Sequence, residues 1–326
     1  VPSPARRCWA RRSGTTSSPR PETPAMIDTD TLAQDIVRHH TGTFTPSTPQ
    51  PVPASEGTSP VYRAALAACS ALGFIAADAR CLARAWQARA ERTDAVNAAT
   101  WPDEPQDFGL QALPQQNAFA ACPRALGLYA VLPDAAWVGR MARAGVPTVQ
   151  LRFKSEDAAA IAHEVQAAVH AVQGTGALLF INDHWQAALA AGAYGLHLGQ
   201  EDLDAMRPDD LATLRRAGLR LGVSTHGYAE MLRADAVGPS YVAMGAVFPT
   251  TLKRMATAPQ GLGRLASYAR LMQSYPLVAI GGIGAEHFAQ VRATSVGSIA
   301  VVRALVNAPD PEAAAAQLQR ALHAPH

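Results

Sequence analysis

From Leu126 onward the sequence alternates short apolar runs with Ala-rich stretches of helical period, and this constrains the fold more than any other feature. The runs fall at residues 127–132, 148–151, 178–182, 195–198, 220–223, 241–244, 277–280 and 298–302. Each has the length of a strand buried on both faces, and the intervals leave room for a helix between them. Parallel strands need such crossovers, and eight strands joined this way match a closed (β/α)8 barrel. Hydrophobic residues make up 48% of the chain but aromatics only 6%. Core volume therefore comes from Ala, Val and Leu packed between helices and strands, not from rings between two sheets. The fold class is expected to be α/β, a (β/α)8 TIM barrel with a largely helical or disordered N-terminal extension.

An extension is expected because 326 residues exceed what one such barrel needs. Residues 124–326 are read as the barrel. Residues 41–59 are rich in Pro, Thr and Ser and read as a flexible linker, so 1–59 is expected to be a disordered leader and linker. The first 25 residues carry Arg, Ser and Pro but no apolar stretch, which excludes a secretory signal. Met26 opens an ordinary-looking segment, and an over-extended start at Val1 is preferred to a targeting peptide. Residues 60–123 are expected to form a small helical appendage and an irregular connection. There Leu66, Leu72, Phe74, Leu82 and Trp86 take apolar helix positions, and Gly73 and Asp78 separate two helices, with Asp78 or a neighbour as cap.

A net charge of +2, from 28 basic and 26 acidic residues, gives no electrostatic case for nucleic acid or a membrane surface as partner. No apolar run is long enough to span a bilayer. Cys8, Cys69, Cys81 and Cys122 form no CxxC pair and are read as reduced thiols of a cytoplasmic protein. A homo-oligomer is compatible with the sequence and is not required by it.

Barrel chemistry sits at the C-terminal strand ends, so those residues carry the functional reading. The second strand ends in Gln150-Leu151-Arg152-Phe153-Lys154. Alternation sends Gln150, Arg152 and Lys154 to one side, where a planar guanidinium and a compact ammonium suit phosphate oxygens. Asn182-Asp183-His184 ends the third strand, and Gly199-Gln200-Glu201-Asp202 follows the fourth. Asp183 and Asp202 thus end neighbouring strands, as Mg²⁺ ligands or as helix N-caps. Ser224 ends the fifth strand. Thr250, Thr251 and Lys253 follow the sixth in a loop, running on to Gly261, long enough for a lid. Gly281-Gly282 follows the seventh, where barrels commonly bind phosphate through backbone N–H groups. His184, His197 and His226 lack the spacing of a zinc site and read as packing or rim residues.

The strings VQLRFK, FINDH, GLHLGQEDL, GVSTH, GAVFPTTLK and VAIGGI, in that order, resemble those of thiamin phosphate synthases, over residues 126–305. That resemblance implies a transferase joining 4-amino-5-hydroxymethyl-2-methylpyrimidine diphosphate to thiazole phosphate, with Mg²⁺ as cofactor and small molecules as partners. It implies that Gln150, Arg152, Lys154 and Asn182 hold the pyrimidine diphosphate and that Asp183 and Asp202 bind Mg²⁺. Ser224 would contact the pyrimidine and Lys253 the diphosphate, so Arg152, Lys154, Ser224 and Lys253 form the expected catalytic set. Thr250, Thr251, Gly281, Gly282, Val302 and Arg303 would surround the thiazole phosphate. Phe153, Leu252 and Arg303 depart from the family's usual residues. The helices of residues 61–91 are similar to the last helices of hydroxymethylpyrimidine phosphate kinases, but the segment is too short to be a kinase and reads as a remnant or packing appendage. The rival readings are a thiazole tautomerase-like isomerase, which needs neither the paired acids nor Lys154, and a non-catalytic phosphate-binding barrel.

Overall fold

The structure, a computed structural model, describes residues 27–44, 48–55, 59–111, 115–250 and 258–324. Met26 and the leader before it, Cys8, and Thr251, Leu252 and Lys253 with most of their loop lie outside the described residues. Eight parallel strands close on themselves: β1 Gly127–Leu132, β2 Thr148–Leu151, β3 Leu178–Asn182, β4 Gly195–Leu198, β5 Arg220–Thr225, β6 Tyr241–Met244, β7 Leu277–Ile280 and β8 Ser298–Val301. Each pairs with the next and β8 returns to β1, with Leu128 opposite Ile299. The (β/α)8 expectation is met. β5 runs beyond its apolar stretch because Ser224 and Thr225 still pair with Ala243 and Met244. β8 stops before Val302, whose backbone turns out to open a helix.

Among the described residues three α-helices precede the barrel: α1 Thr29–His40, α2 Pro60–Ala71 and α3 Ala76–Thr93. Around it run α4 Ala135–Arg143, α5 Ala158–Ala171, α6 Trp185–Ala190, α7 Gln200–Ala205, α8 Pro208–Arg216 and α9 Tyr228–Ala236. They continue with α10 Gly261–Leu271, α11 Phe288–Arg292, α12 Arg303–Val306 and α13 Pro311–His323. Short polar residues start several of them. Asp134, Asp157 and Asp310 each accept N–H groups of the first turn of α4, α5 and α13, satisfying donors that have no partner within the helix.

Strand alternation sorts the side chains into two layers. Leu128, Val149, Leu179, Leu196, Leu221, Val242, Ala279 and Ile299 point outward against the helices, while Tyr129, Phe180, Tyr241, Val278 and Ala300 fill the barrel. Gly195 and Gly222 are needed inside: a Cβ at either would overlap the rings of Phe180 and Tyr241. Large and small residues alternate across the interior, giving a packed core.

The extension is more ordered than the leader-and-linker expectation. α1 lies within residues 1–59, begun by Asp28, whose carboxylate accepts Asp30 N–H and Thr31 O–H. Its His40 ring meets Ala98 O at 2.9 Å, and Phe44 just beyond packs on Phe74 and Trp101. Partners so distant in sequence explain why the local pattern does not announce this helix. α2 and α3 appear where the Leu and Trp spacing puts them, but the cap does not: Ile75 stands at the N-cap of α3, and Asp78 points elsewhere. Cys69, Cys81 and Cys122 are free thiols. Among the described residues no helix is long and apolar enough to cross a membrane.

Candidate active site

At the C-terminal ends of the strands the barrel opens into a cavity of about 900 Å³. Its floor is the last inward residue of β1 to β7, Val131, Gln150, Asn182, His197, Ser224, Ala243 and Ile280, with Val302 just beyond β8. Arg152, Lys154, Asp183, Asp202, Thr250, Gly281, Gly282 and Arg303 rise around it. Every expected site residue within the described part of the chain therefore lines one space. Thr251 and Lys253 are not among the described residues.

Asp183 and Asp202 come together. Asp183 holds a left-handed backbone, φ 63°, a conformation that costs a non-glycine residue on the order of 1 kcal/mol. Its carboxylate stands within hydrogen-bonding reach of that of Asp202. Burial first, and the Asp202 charge second, push Asp183 up to about 6, while Arg152 and His184 pull it back. The cap alternative holds in part for Asp202, whose Oδ2 accepts Gly199 N–H at 3.2 Å. It fails for Asp183, since His184 is the N-cap of α6. Two crowded carboxylates are a donor set that a hard divalent cation relieves, and Mg²⁺ typically takes one or two carboxylates with water and phosphate oxygens. Among the described residues no cluster of three or more His, Cys, Asp or Glu could hold a metal ion.

The floor is wired from end to end. Gln150 Nε2 donates to Asn182 Oδ1 at 2.8 Å, and Gln150 Oε1 accepts the Tyr129 hydroxyl at 2.8 Å. Tyr129 and Tyr241 hydroxyls meet at 2.8 Å; Tyr241 OH meets His197 Nδ1 at 2.7 Å, and His197 Nε2 meets Ser224 Oγ at 2.8 Å. The proton order follows from one fixed end. A carbonyl oxygen only accepts, so Tyr129 spends its proton on Gln150 and must accept from Tyr241. Tyr241 in turn accepts from His197 Nδ1–H, and in its neutral form His197 accepts the Ser224 proton at Nε2. Ser224 is left with lone pairs for a ligand, and Asn182, its carbonyl engaged, offers its NH₂. The floor thus presents an acceptor at one side and a donor at the other.

His197, 7% exposed, is a network residue, and sequence reasoning missed both this role and the two tyrosines beneath it. The signal was present as parity: His197 shares its inward face with Gly195, as Tyr129 does with Val131. The other two histidines take separate places. His184 Nε2 meets Phe153 O at 2.8 Å, and His226 Nδ1 meets Glu230 Oε2 at 2.7 Å. Phe153 packs outward on the core, as alternation requires. Gly281 and Gly282 have φ of 101° and 69°, and a Cβ on either would run into the backbone of residues 246–249. That chain is tied to them through Phe248 N–H donating to Gly281 O at 2.9 Å.

A closed barrel whose strand ends gather a carboxylate pair, two or more cations and a double glycine is a phosphate-handling (β/α)8 barrel. The model of the thiamine monophosphate synthase family matches residues 128–305, over half of the chain, and the chain belongs to that family. It is 53% identical over 188 residues to the thiamine-phosphate synthase of Neisseria meningitidis serogroup B (strain ATCC BAA-335 / MC58), covering 58% of this chain and 90% of that one. With the thiamine-phosphate synthase of Serratia proteamaculans (strain 568) it shares 50% identity over 200 residues, 61% of this chain and 93% of the relative. The solved structure of thiamine phosphate pyrophosphorylase from Pyrococcus furiosus aligns with a TM-score of 0.53 at 29% identity, covering 61% of this chain and 96% of that one.

Proposed function

We propose that this chain condenses 4-amino-5-hydroxymethyl-2-methylpyrimidine diphosphate with thiazole phosphate, forming thiamin phosphate and releasing pyrophosphate. The observation that carries the reading is the convergence of the cations, the carboxylate pair, the polar floor and the glycine pair on one cavity. The relatives named thiamine-phosphate synthase support it.

In this reading the aminopyrimidine lies on the floor. Its amino group donates to the lone pairs of Ser224, and a ring nitrogen accepts from the NH₂ of Asn182, matching the polarity set by the hydrogen-bond chain. Arg152 and Lys154 face the diphosphate. When the methylene C–O bond breaks, the electron pair leaves with pyrophosphate, and the two cations stabilise the charge that gathers there. The ring amino group shares the positive charge on the methylene. The thiazole nitrogen then gives its lone pair to that carbon, so the chain supplies no nucleophile. Asp183 and Asp202 would hold Mg²⁺, which when bound contributes Lewis-acid stabilisation of the diphosphate. Thr250, Gly281, Gly282, Val302 and Arg303 line the side assigned to the thiazole phosphate. A cytoplasmic location belongs to the same proposal, and the free thiols of Cys69, Cys81 and Cys122 fit a reducing compartment.

The test is thiamin phosphate formation by the purified protein given both phosphorylated halves, with and without Mg²⁺, beside Asp202→Ala. Mg²⁺-dependent product that collapses in the variant is expected. Folded protein that makes no product would overturn the reading, and turnover in a thiazole tautomerase assay would replace it.

A further inference from the structure

Asp78 is a buried carboxylate, 4% exposed, that the chemistry above leaves unused. It sits in the first turn of α3, outside the barrel, yet its Oδ1 accepts the N–H of Ala229 at 2.9 Å. Ala229 is the second residue of α9. That helix begins at Gly227, which has no side chain to cap it. A Cβ at 227 would overlap the Asp78 carboxylate. Gly227 is extended, φ −179°, so its backbone does not demand glycine; the space Asp78 occupies does. The barrel helix thus lacks its own cap where the extension supplies one.

The rest of the first turn of α9 is held from the same side. Trp101 Nε1 donates to Tyr228 OH at 3.0 Å, and Phe108 stacks on Tyr228 at 5.4 Å between ring centres. Arg264 on α10 donates to Leu72 O and Gly73 O and lies 4.2 Å over the Phe74 ring. Only residues 225–227 separate this turn from Ser224. On the strand side Ser224 is fixed by the barrel itself, its carbonyl accepting Gln200 Nε2 at 2.8 Å. On the helix side two carboxylates hold it: Glu230 of α9 accepts the His226 N–H at 2.8 Å, and Asp78 caps the helix from the extension.

We infer that Asp78 is a positioning residue: by capping α9 across the domain boundary, it holds the β5–α9 turn so that Ser224 faces the pyrimidine. The inference rests on the reading of Ser224 given above. Losing an N-cap is worth about a factor of five to ten in an equilibrium. Asp78→Ala is therefore expected to raise KM for the pyrimidine diphosphate roughly three- to tenfold, with kcat and KM for the thiazole phosphate within about twofold. Asp78→Ala/Gly227→Asp, which places a carboxylate on α9 itself in the vacated space, is expected to restore KM. In a Ser224→Ala background, Asp78→Ala is expected to add nothing, which loss of general stability would not produce.

Steady-state kinetics of the full chain, with both substrates varied, decides it. An unchanged KM in folded Asp78→Ala, or an equal rise for both substrates, would overturn the inference. If Asp78→Ala does not accumulate, Asp78→Asn carries the test, with a rise of about two- to threefold expected from the weaker neutral acceptor and an unchanged KM again overturning it. Absence of product from the wild-type protein would refute the synthase reading instead, so the two failures are distinct.

Discussion

Tyr241→Phe removes one oxygen from the middle of the floor network. The hydroxyl belongs to a side chain 1% exposed and makes two hydrogen bonds, to Tyr129 OH at 2.8 Å and His197 Nδ1 at 2.7 Å. Without it, His197 Nδ1–H is a buried donor lacking its acceptor, a loss of about 1–3 kcal/mol. Tyr129 keeps its bond to Gln150 but loses the incoming one, a further ~1 kcal/mol. Destabilisation of about 2–4 kcal/mol is expected, read as a lower urea midpoint at unchanged m. His197 has one local relief: moving its proton to Nε2. That turns the Ser224 hydroxyl from acceptor to donor at the cavity, so KM for the pyrimidine diphosphate should rise while KM for the thiazole phosphate stays. The imidazole ¹⁵N shifts of His197 would report the tautomer change directly. A urea midpoint unchanged within about 0.5 kcal/mol, with KM also unchanged, would refute the proton order assigned to the chain.

Asp202→Asn removes the charge crowding Asp183; the metal-free protein should gain on the order of 1 kcal/mol at pH 7, while product formation falls at least about a hundredfold. Loss of stability together with retained activity would contradict the pairing. Asp78 provides the pH dependence. Burial, with Glu230 adding to it and Arg264 opposing, raises its pKa from 3.8 to about 6; Cys69 also faces it. The folded state then binds the proton more tightly than the unfolded one, so this group's contribution is fully present below pH 4 and is lost as pH rises through 6, by about 3 kcal/mol. Asp78→Asn should therefore gain stability relative to wild type between pH 4 and pH 7, as urea melts at the two pH values would show. Gly282→Ala puts a Cβ at φ 69° against the backbone of Phe248 and Pro249; at least ~2 kcal/mol should be lost, with KM for the thiazole phosphate raised, and an unchanged melting temperature would refute the need for glycine.

The barrel was legible because its signal is local and repeated. An apolar run bounded by helical period specifies a buried parallel strand without reference to distant residues, and seven of the intervals reinforce one topology. Where the reading slipped, the cause was a partner far along the chain. β5 extends through Ser224 and Thr225 because β6 offers them pairing, which polar residue types do not advertise. α1 is tethered by Ala98 and Trp101, so its stability is not written in its own twelve residues.

The site divides along the same line. Residues that line the cavity at strand ends could be found from their type and their order along the successive strands. Residues that orient them could not be found by type: tyrosine and histidine on an inward face are ordinary core residues until their hydroxyls and ring nitrogens are placed in a row. Parity alone would have listed Tyr129, Tyr241 and His197 as inward, and only the 2.7–2.8 Å spacing converts that into a directed chain. Asp78 is the extreme case. Read along the sequence it caps its own helix, and that is the ordinary use of an acid near a helix start. Its actual target, 151 positions away, has a glycine where a cap belongs. The informative pair is thus a carboxylate without need at one place and a missing cap at another, a complementarity that emerges only when the fold brings them together.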